Sequence, residues 1–251
     1  MKISCTVIFF FFITSTLSAQ QIKYLVPEKN WDADSLGNHR AIVQFNGTGA
    51  IARVVIPWRR RDSDPDKKRV VVEDGQTNQK ILDVKIVSIT RESGELYFEP
   101  TSGIGVYYIY YMPYKNEGRS NYPRGVYLAP ELTASTEWLS KINDKVPEAT
   151  VVELQSIDTF NSFYPMEVIA TKSETDSLIQ KNGNTSFLIF PEGRLHSIRM
   201  KKDLPQRWIE TGNQNSFSGL ADKGEYFAFQ LGIFALQDLE ELTIRFSDLQ
   251  S

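Results

Sequence analysis

Beyond residue 39 the chain is dominated by short apolar runs broken by turn residues. Six of these runs are Arg40–Phe45, Ala50–Ile56, Arg69–Glu73, Ile81–Ile89, Glu95–Glu99 and Val106–Met112. Between them stand Asn46-Gly47-Thr48-Gly49, Asp74-Gly75, Ser93-Gly94 and Ser102-Gly103, residues that favour tight turns. Little of this stretch has helical periodicity, so the pattern predicts an antiparallel sandwich. Val106–Tyr111 is apolar or aromatic at both alternating sets of positions, which predicts a central strand covered on both faces.

From Pro113 to Pro130 the chain is polar and carries Gly and Pro, the signature of loop. Thr133–Ile142 then reads as a short helix, with Leu132, Trp138, Leu139 and Ile142 on one face. Asn143–Glu148, containing Pro147, marks a boundary. A second series of strands is expected at Thr150–Gln155, Glu167–Thr171, Ser186–Phe190, Gln206–Ile209, Glu225–Phe234 and Leu242–Phe246. A short helix running to Gln180 is expected to be capped by Ser173, with early acids at the positive end of its dipole. The expected architecture is mainly β: two tandem antiparallel β-sandwich units with one or two short helices. Whether the second unit is complete is left open. The divisions are a leader at residues 1–19, a first unit at 20–146 ending in a helix, and a second unit at 147–251.

Composition sharpens this picture in three places. Lys2, the apolar run Val7–Ile13 and Leu17-Ser18-Ala19 form a secretory signal whose apolar segment is too short to span a bilayer, so export with cleavage near Ala19 is expected. The chain's single cysteine, Cys5, lies inside that leader, which leaves no thiol for a disulfide, a nucleophile or a thiolate zinc site afterwards. The net charge of −3 offers no electrostatic case for nucleic acid, and no later stretch is long and apolar enough to span a membrane.

Candidate chemistry is sparse. His39 and His196 are far apart, without ligand-spaced partners, and are expected to be surface or hydrogen-bonded structural residues. No nucleophile elbow, phosphate loop or dinucleotide fingerprint is present. Asp62, Asp64, Asp66 and Glu73 echo the spacing of a calcium loop, but Lys67 stands where that loop needs Gly. The acids are instead expected to pair with Arg59-Arg60-Arg61 and Lys67-Lys68 in a solvated hairpin. Glu73, Asp74, Glu92, Glu99, Glu167, Glu192 and Glu225 are candidates for the paired acids of a glycosidase, but their spacing pairs none of them. No catalytic residue, metal ligand or cofactor is assigned. Trp58, at the end of an apolar strand, is expected at the rim of the core. With Tyr107, Tyr114, Tyr122 and Trp208 it would form the row of exposed aromatics that a carbohydrate-binding surface needs.

Several segments together resemble a known family. They include His39-Arg40-Ala41, Ile56–Asp62, Val106–Tyr114, Asn121-Tyr122-Pro123, Phe163–Ala170, Phe190–Arg194, Ile198-Arg199-Met200, Leu204–Trp208 and Gly224–Gly232. As a set they resemble the N-terminal region of exported bacterial proteins similar to glycoside hydrolase family 123. The resemblance implies β-sandwich domains ahead of a TIM-like barrel. It also implies that catalysis, the release of terminal N-acetylgalactosamine assisted by the substrate's acetamido group, belongs to an Asp–Glu pair in that barrel. No positions here match that pair, and no eightfold strand–helix alternation is present. The chain is therefore expected to be a non-catalytic portion of a glycan-degrading protein, as a truncated or split product or as an accessory module. An autonomous carbohydrate-binding module and an active glycosidase are the alternatives. Expected partners are glycans and a separate or missing barrel. Within this reading, Glu192 is expected to pair with Arg194 or Arg199 and to fix how the barrel docks.

Overall fold

The computed structural model describes residues 22–143 and 145–245. The leader at residues 1–19 lies outside the described residues, as does Phe246 at the end of the last expected strand. The elements in chain order begin with β1 (Lys23–Leu25), α1 (Ala33–Leu36), β2 (His39–Phe45) and β3 (Ala52–Ile56). Then come β4 (Val70–Asp74), β5 (Lys80–Ile81), β6 (Val84–Ile89), β7 (Gly94–Phe98) and β8 (Gly105–Tyr111). A hairpin of β9 (Tyr114–Arg119) and β10 (Tyr122–Tyr127) precedes α2 (Thr136–Leu139) and β11 (Thr150–Ser156). The remainder holds α3 (Lys172–Lys181), β12 (Phe187–Glu192), α4 (Gln206–Thr211) and β13 (Gln230–Ala235).

The protein is mainly β. A six-stranded sheet, ordered β1-β11-β2-β8-β4-β5, shares a core with a three-stranded sheet ordered β3-β7-β6. Alternation in the sequence accounts for the arrangement. In β2, Ala41, Val43 and Phe45 are buried while Arg40, Ile42 and Gln44 between them are partly open. They meet Ala52, Val54 and Ile56 of β3 and Leu96 and Phe98 of β7 across the core. β8 is central, as its two-sided pattern predicts: Tyr107 and Ile109 enter the core. On its other face Tyr110 is covered by Trp31, with ring centroids 5.7 Å apart.

One strand crosses the expected division. Thr150–Ser156, expected to open the second unit, lies between β1 and β2 in the first sheet, antiparallel to β2 and parallel to β1. Its Leu154 is buried in the first core, which would otherwise lack that edge. The turn residues around Pro147 mark a crossover between sheets. Pro147 O accepts from Arg53 N at 2.9 Å and Ala149 N donates to Arg53 O at 2.7 Å, which ties the crossover to β3.

Other local differences have equally local causes. The β9–β10 hairpin, read as loop, is paired from Tyr114↔Tyr127 to Arg119↔Tyr122, but almost all its side chains are exposed, so no apolar alternation betrays it. Helix α2 is shorter than expected because Ser135 caps it, its Oγ accepting from Trp138 N at 3.3 Å, and Leu132 is left fully exposed outside it. Helix α3 begins two residues early: Thr171 forms a capping box with Glu174 through bonds of 3.2 and 2.8 Å. Gln206–Ile209, expected as a strand, is helical, since a run of four residues is too short for periodicity to discriminate. Glu167–Thr171 contributes only an isolated bridge, Ile169 to Pro205. The long run Glu225–Phe234 forms a strand only from Gln230, antiparallel to β12. A second, smaller core gathers Met166, Leu178, Leu188, Phe190, Leu204 and Trp208 between these strands and α3 and α4.

Candidate functional site

Three of the five aromatics expected to meet sugar have no face to offer. Trp58, 2% exposed, lies in the first core, its Nε1–H donating to Thr90 O at 2.9 Å. Tyr107 is fully buried and its hydroxyl donates to Gly103 O at 2.7 Å. Trp208 is buried against Phe190, the rings parallel at 4.5 Å, and its indole N–H donates to Glu192 Oε1 at 3.0 Å. Each large ring is worth more in the core than on a surface, and each polar tip is satisfied there. Tyr122 is 85% exposed, but it stands at the tip of the hairpin, away from other candidates. Tyr114 lines a cleft of about 290 Å³.

The expected ion pair is also rearranged. Glu192, 4% exposed, accepts from Arg207 Nε at 3.0 Å on the same oxygen that meets Trp208, and His196 Nδ1 lies 3.6 Å from its other oxygen. It pairs with neither Arg194 nor Arg199. Arg194 pairs with Glu225, whose second oxygen accepts from Asp222 N, and Arg199 reaches Glu167 at 3.4 Å. The partner of Glu192 is selected by helix α4, which carries Arg207 and Trp208 to the end of β12, something linear spacing does not reveal.

The Arg59-Arg60-Arg61 run, expected to be neutralised by its neighbouring acids in solvent, is divided three ways. Only Arg60 keeps a local acid: its Nε and Nη2 meet Asp62 Oδ1 and Oδ2 at 2.9 and 2.8 Å, and the guanidinium is fully buried, 4.9 Å from the Trp58 ring. Burial opposes ionisation of Asp62, but its bonds to Arg60 and Lys68 outweigh that and hold its carboxyl below the usual range. Arg59, at a φ of 48°, turns away and forks onto Glu174 with bonds of 2.6 and 2.9 Å, joining the segment after β3, in the three-stranded sheet, to helix α3. Hydrogen bonding from Arg59 in turn lowers the Glu174 pKa. A second fork joins Arg91 to Asp203 at 2.9 and 2.6 Å. These bidentate pairs are the polar fasteners of the two regions.

Beside them lies a cleft of about 290 Å³. Its floor is His39, buried at the start of β2, with Nε2 2.9 Å from Asn161 O and the ring stacked on Phe163 at 4.1 Å. A carbonyl only accepts, so Nε2 carries the proton. Burial, partly offset by that bond, pushes the His39 pKa down to about 4, and the imidazole is neutral at ordinary pH. Asn38 donates to Asn161 Oδ1 at 2.9 Å and to Tyr114 Oη at 3.2 Å. Tyr114 and Tyr127 form an edge-to-face wall, centroids 6.3 Å apart. Opposite, Arg61 and Arg199 both approach Glu167 Oε1, at 3.3 and 3.4 Å. Glu167 and Phe163, Arg61, and Arg199 lie in three of the segments that carry the family resemblance, but nothing in the sequence brings those segments together. Nothing local marks Asn38 or Tyr127, which join them from distant segments.

Among the described residues, no group of three or more His, Cys, Asp or Glu side chains converges to hold a metal ion. None of the helices there is long and apolar enough to cross a membrane. Comparison with curated proteins and with solved structures yields no match to this chain. Residues 29–157, just over half of the chain, match the family described as glycoside hydrolase 123, N-terminal domain. That span takes in β2 through β11, so all of the larger sandwich except β1 falls within it. The chain belongs to the glycoside hydrolase 123 N-terminal domain family.

Proposed function

We propose that this chain is the non-catalytic, exported, β-rich N-terminal part of a glycoside-hydrolase-like protein of glycan degradation. Its role is to support a catalytic barrel and to hold glycan beside it, without cleaving glycosidic bonds itself.

The observation that carries this reading is the state of the buried carboxylates. A glycosidase needs two acids flanking the scissile bond, roughly 5–10 Å apart, free to exchange a proton with sugar or water. Asp74 spends its oxygens on Gln76 N, Thr77 N and Thr101 Oγ1, and Glu192 meets Arg207 and Trp208. Glu167 lies between two guanidinium groups. Each is committed to holding structure. Burial raises the pKa of Glu73, but the groups beside it are Tyr110 and Arg40 rather than a second carboxyl.

The test is incubation of the purified chain with a nitrophenyl N-acetylgalactosaminide. No release of nitrophenol is expected. Turnover that disappears when one of the chain's own carboxylates is changed to the amide would overturn the reading. Export is checked by mass spectrometry of protein recovered from the native host, where a mature N-terminus at Gln20 is expected.

A further inference from the structure

We propose that the cleft between the hairpin and the Arg61–Glu167–Arg199 cluster binds the carboxylate of one acidic sugar unit in a glycan. This rests on the reading above that the chain handles glycans, and it names their chemistry.

The contrast among the arginines carries the argument. Arg59 and Arg91 each spend both prongs on one acid, at 2.6–2.9 Å. Each of these forks is balanced, one cation to one acid. Arg61 and Arg199 instead share a single carboxylate oxygen at 3.3 and 3.4 Å, and their side chains remain 45% and 55% exposed. A guanidinium has five N–H donors in a fixed fork that matches a carboxylate. Two of them on one oxygen of Glu167 leave most of those donors, and one positive charge, available to the cleft.

The surrounding charges do not cancel that excess. His39 is neutral, as its low pKa requires. Behind Tyr127, Arg60 and Lys68 both pair with Asp62, again two cations to one acid. Asp158 lies near, but it accepts from Asn161 N and Nδ2 at 2.7–3.0 Å. Apolar surface is supplied at the same place. Tyr114 and Tyr127 wall the cleft, and Phe160, 91% exposed, stands at its mouth. Aromatic faces receive the C–H faces of a sugar ring, and about 290 Å³ is room for one such ring with its carboxylate toward the arginines.

The experiment is calorimetric titration of the whole chain at low salt with three probes: a methyl glucuronide, the neutral methyl glucoside, and acetate. The glucuronide is expected to bind at least tenfold more tightly than either of the others and to weaken as salt is added. Arg199→Gln is expected to weaken it about tenfold, and Tyr127→Ala several-fold, with the thermal unfolding of both variants unchanged. Because Arg199 and Tyr127 are both about half exposed, these variants carry the test even if Arg61→Gln fails to fold. Glucoside binding as tightly as glucuronide, acetate binding as tightly as glucuronide, or indifference to Arg199→Gln would each overturn the proposal. So would the absence of any millimolar binding. Failure here without glycosidase turnover sinks only this inference. Turnover sinks the non-catalytic reading and leaves the titration to stand by itself.

Discussion

The two regions of the molecule solve the same packing problem at different scales. The larger one closes six strands over three and buries an aromatic and aliphatic core that includes Phe45, Trp58, Phe98 and Tyr107. The smaller one has a two-stranded sheet, two helices and a core of six residues. In each, a tryptophan ring packs closely against a glycine. A side chain at Gly94 would run into the Trp58 ring, and one at Gly232 into Trp208. The motif is shared, but the apolar area behind it differs, and buried apolar area sets most of the stability. The smaller region is therefore expected to depend on its junction with the larger one, through Arg59–Glu174, Arg91–Asp203 and the stack of Tyr24 on Tyr164 at 4.9 Å.

The sharpest way to break this comparison is to make the same change in both cores. Phe98→Ala, at a position with no exposure, should destabilise the large sandwich by about 3–5 kcal/mol in urea unfolding. Phe190→Ala should abolish hydrogen-exchange protection in β12 and β13 while β2 and β8 stay protected. If both variants lowered one shared transition equally, the regions would be a single cooperative unit.

Acid should act next, and first through the floor of the cleft. His39 stays neutral in the folded chain down to about pH 4, whereas an ordinary histidine protonates near 6.5. As pH falls, the unfolded chain binds the proton first. The contribution is whole above about 6.5, shrinks below it, and is lost once the folded chain protonates near 4. The total is about 3 kcal/mol, read as the change in unfolding free energy between pH 7 and pH 4, and His39→Gln should flatten the slope.

Arg91→Ala should have the smallest effect. Its pair with Asp203 is a bidentate contact, but the side chains are 36% and 23% exposed, so solvent screening holds the expected loss to about 1 kcal/mol or less. The measurable consequence is faster proteolysis after residue 157, with the larger sandwich left intact. Equal protection of mutant and parent chain would remove this pair from the junction.

The chain's own pattern was enough for most strands of the larger region, though not for β1, and it read β5 and β6 as one run. Alternation of period two is a local property, visible wherever one face is buried and the other more open, as in β2, β3 and β7, and β8 is legible by its two-sided apolar pattern. Alternation is silent for the exposed β9–β10 hairpin, which is held by backbone bonds, and it cannot separate helix from strand over the four residues Gln206–Ile209. Sequence also held the family resemblance, which the match over residues 29–157 supports. Partner choice was decided only in three dimensions. Leu154 belongs to the first core because β11 runs back between β1 and β2, and Glu192 finds Arg207 because α4 lies against β12. Adjacent arginines 59, 60 and 61 face three different acids because the backbone turns at Arg59. Neighbouring charges pair as their spacing predicts, as in Arg60–Asp62 and Lys67–Asp64, but pairs between distant segments are set by how sheets and helices stack, which no spacing along the chain encodes.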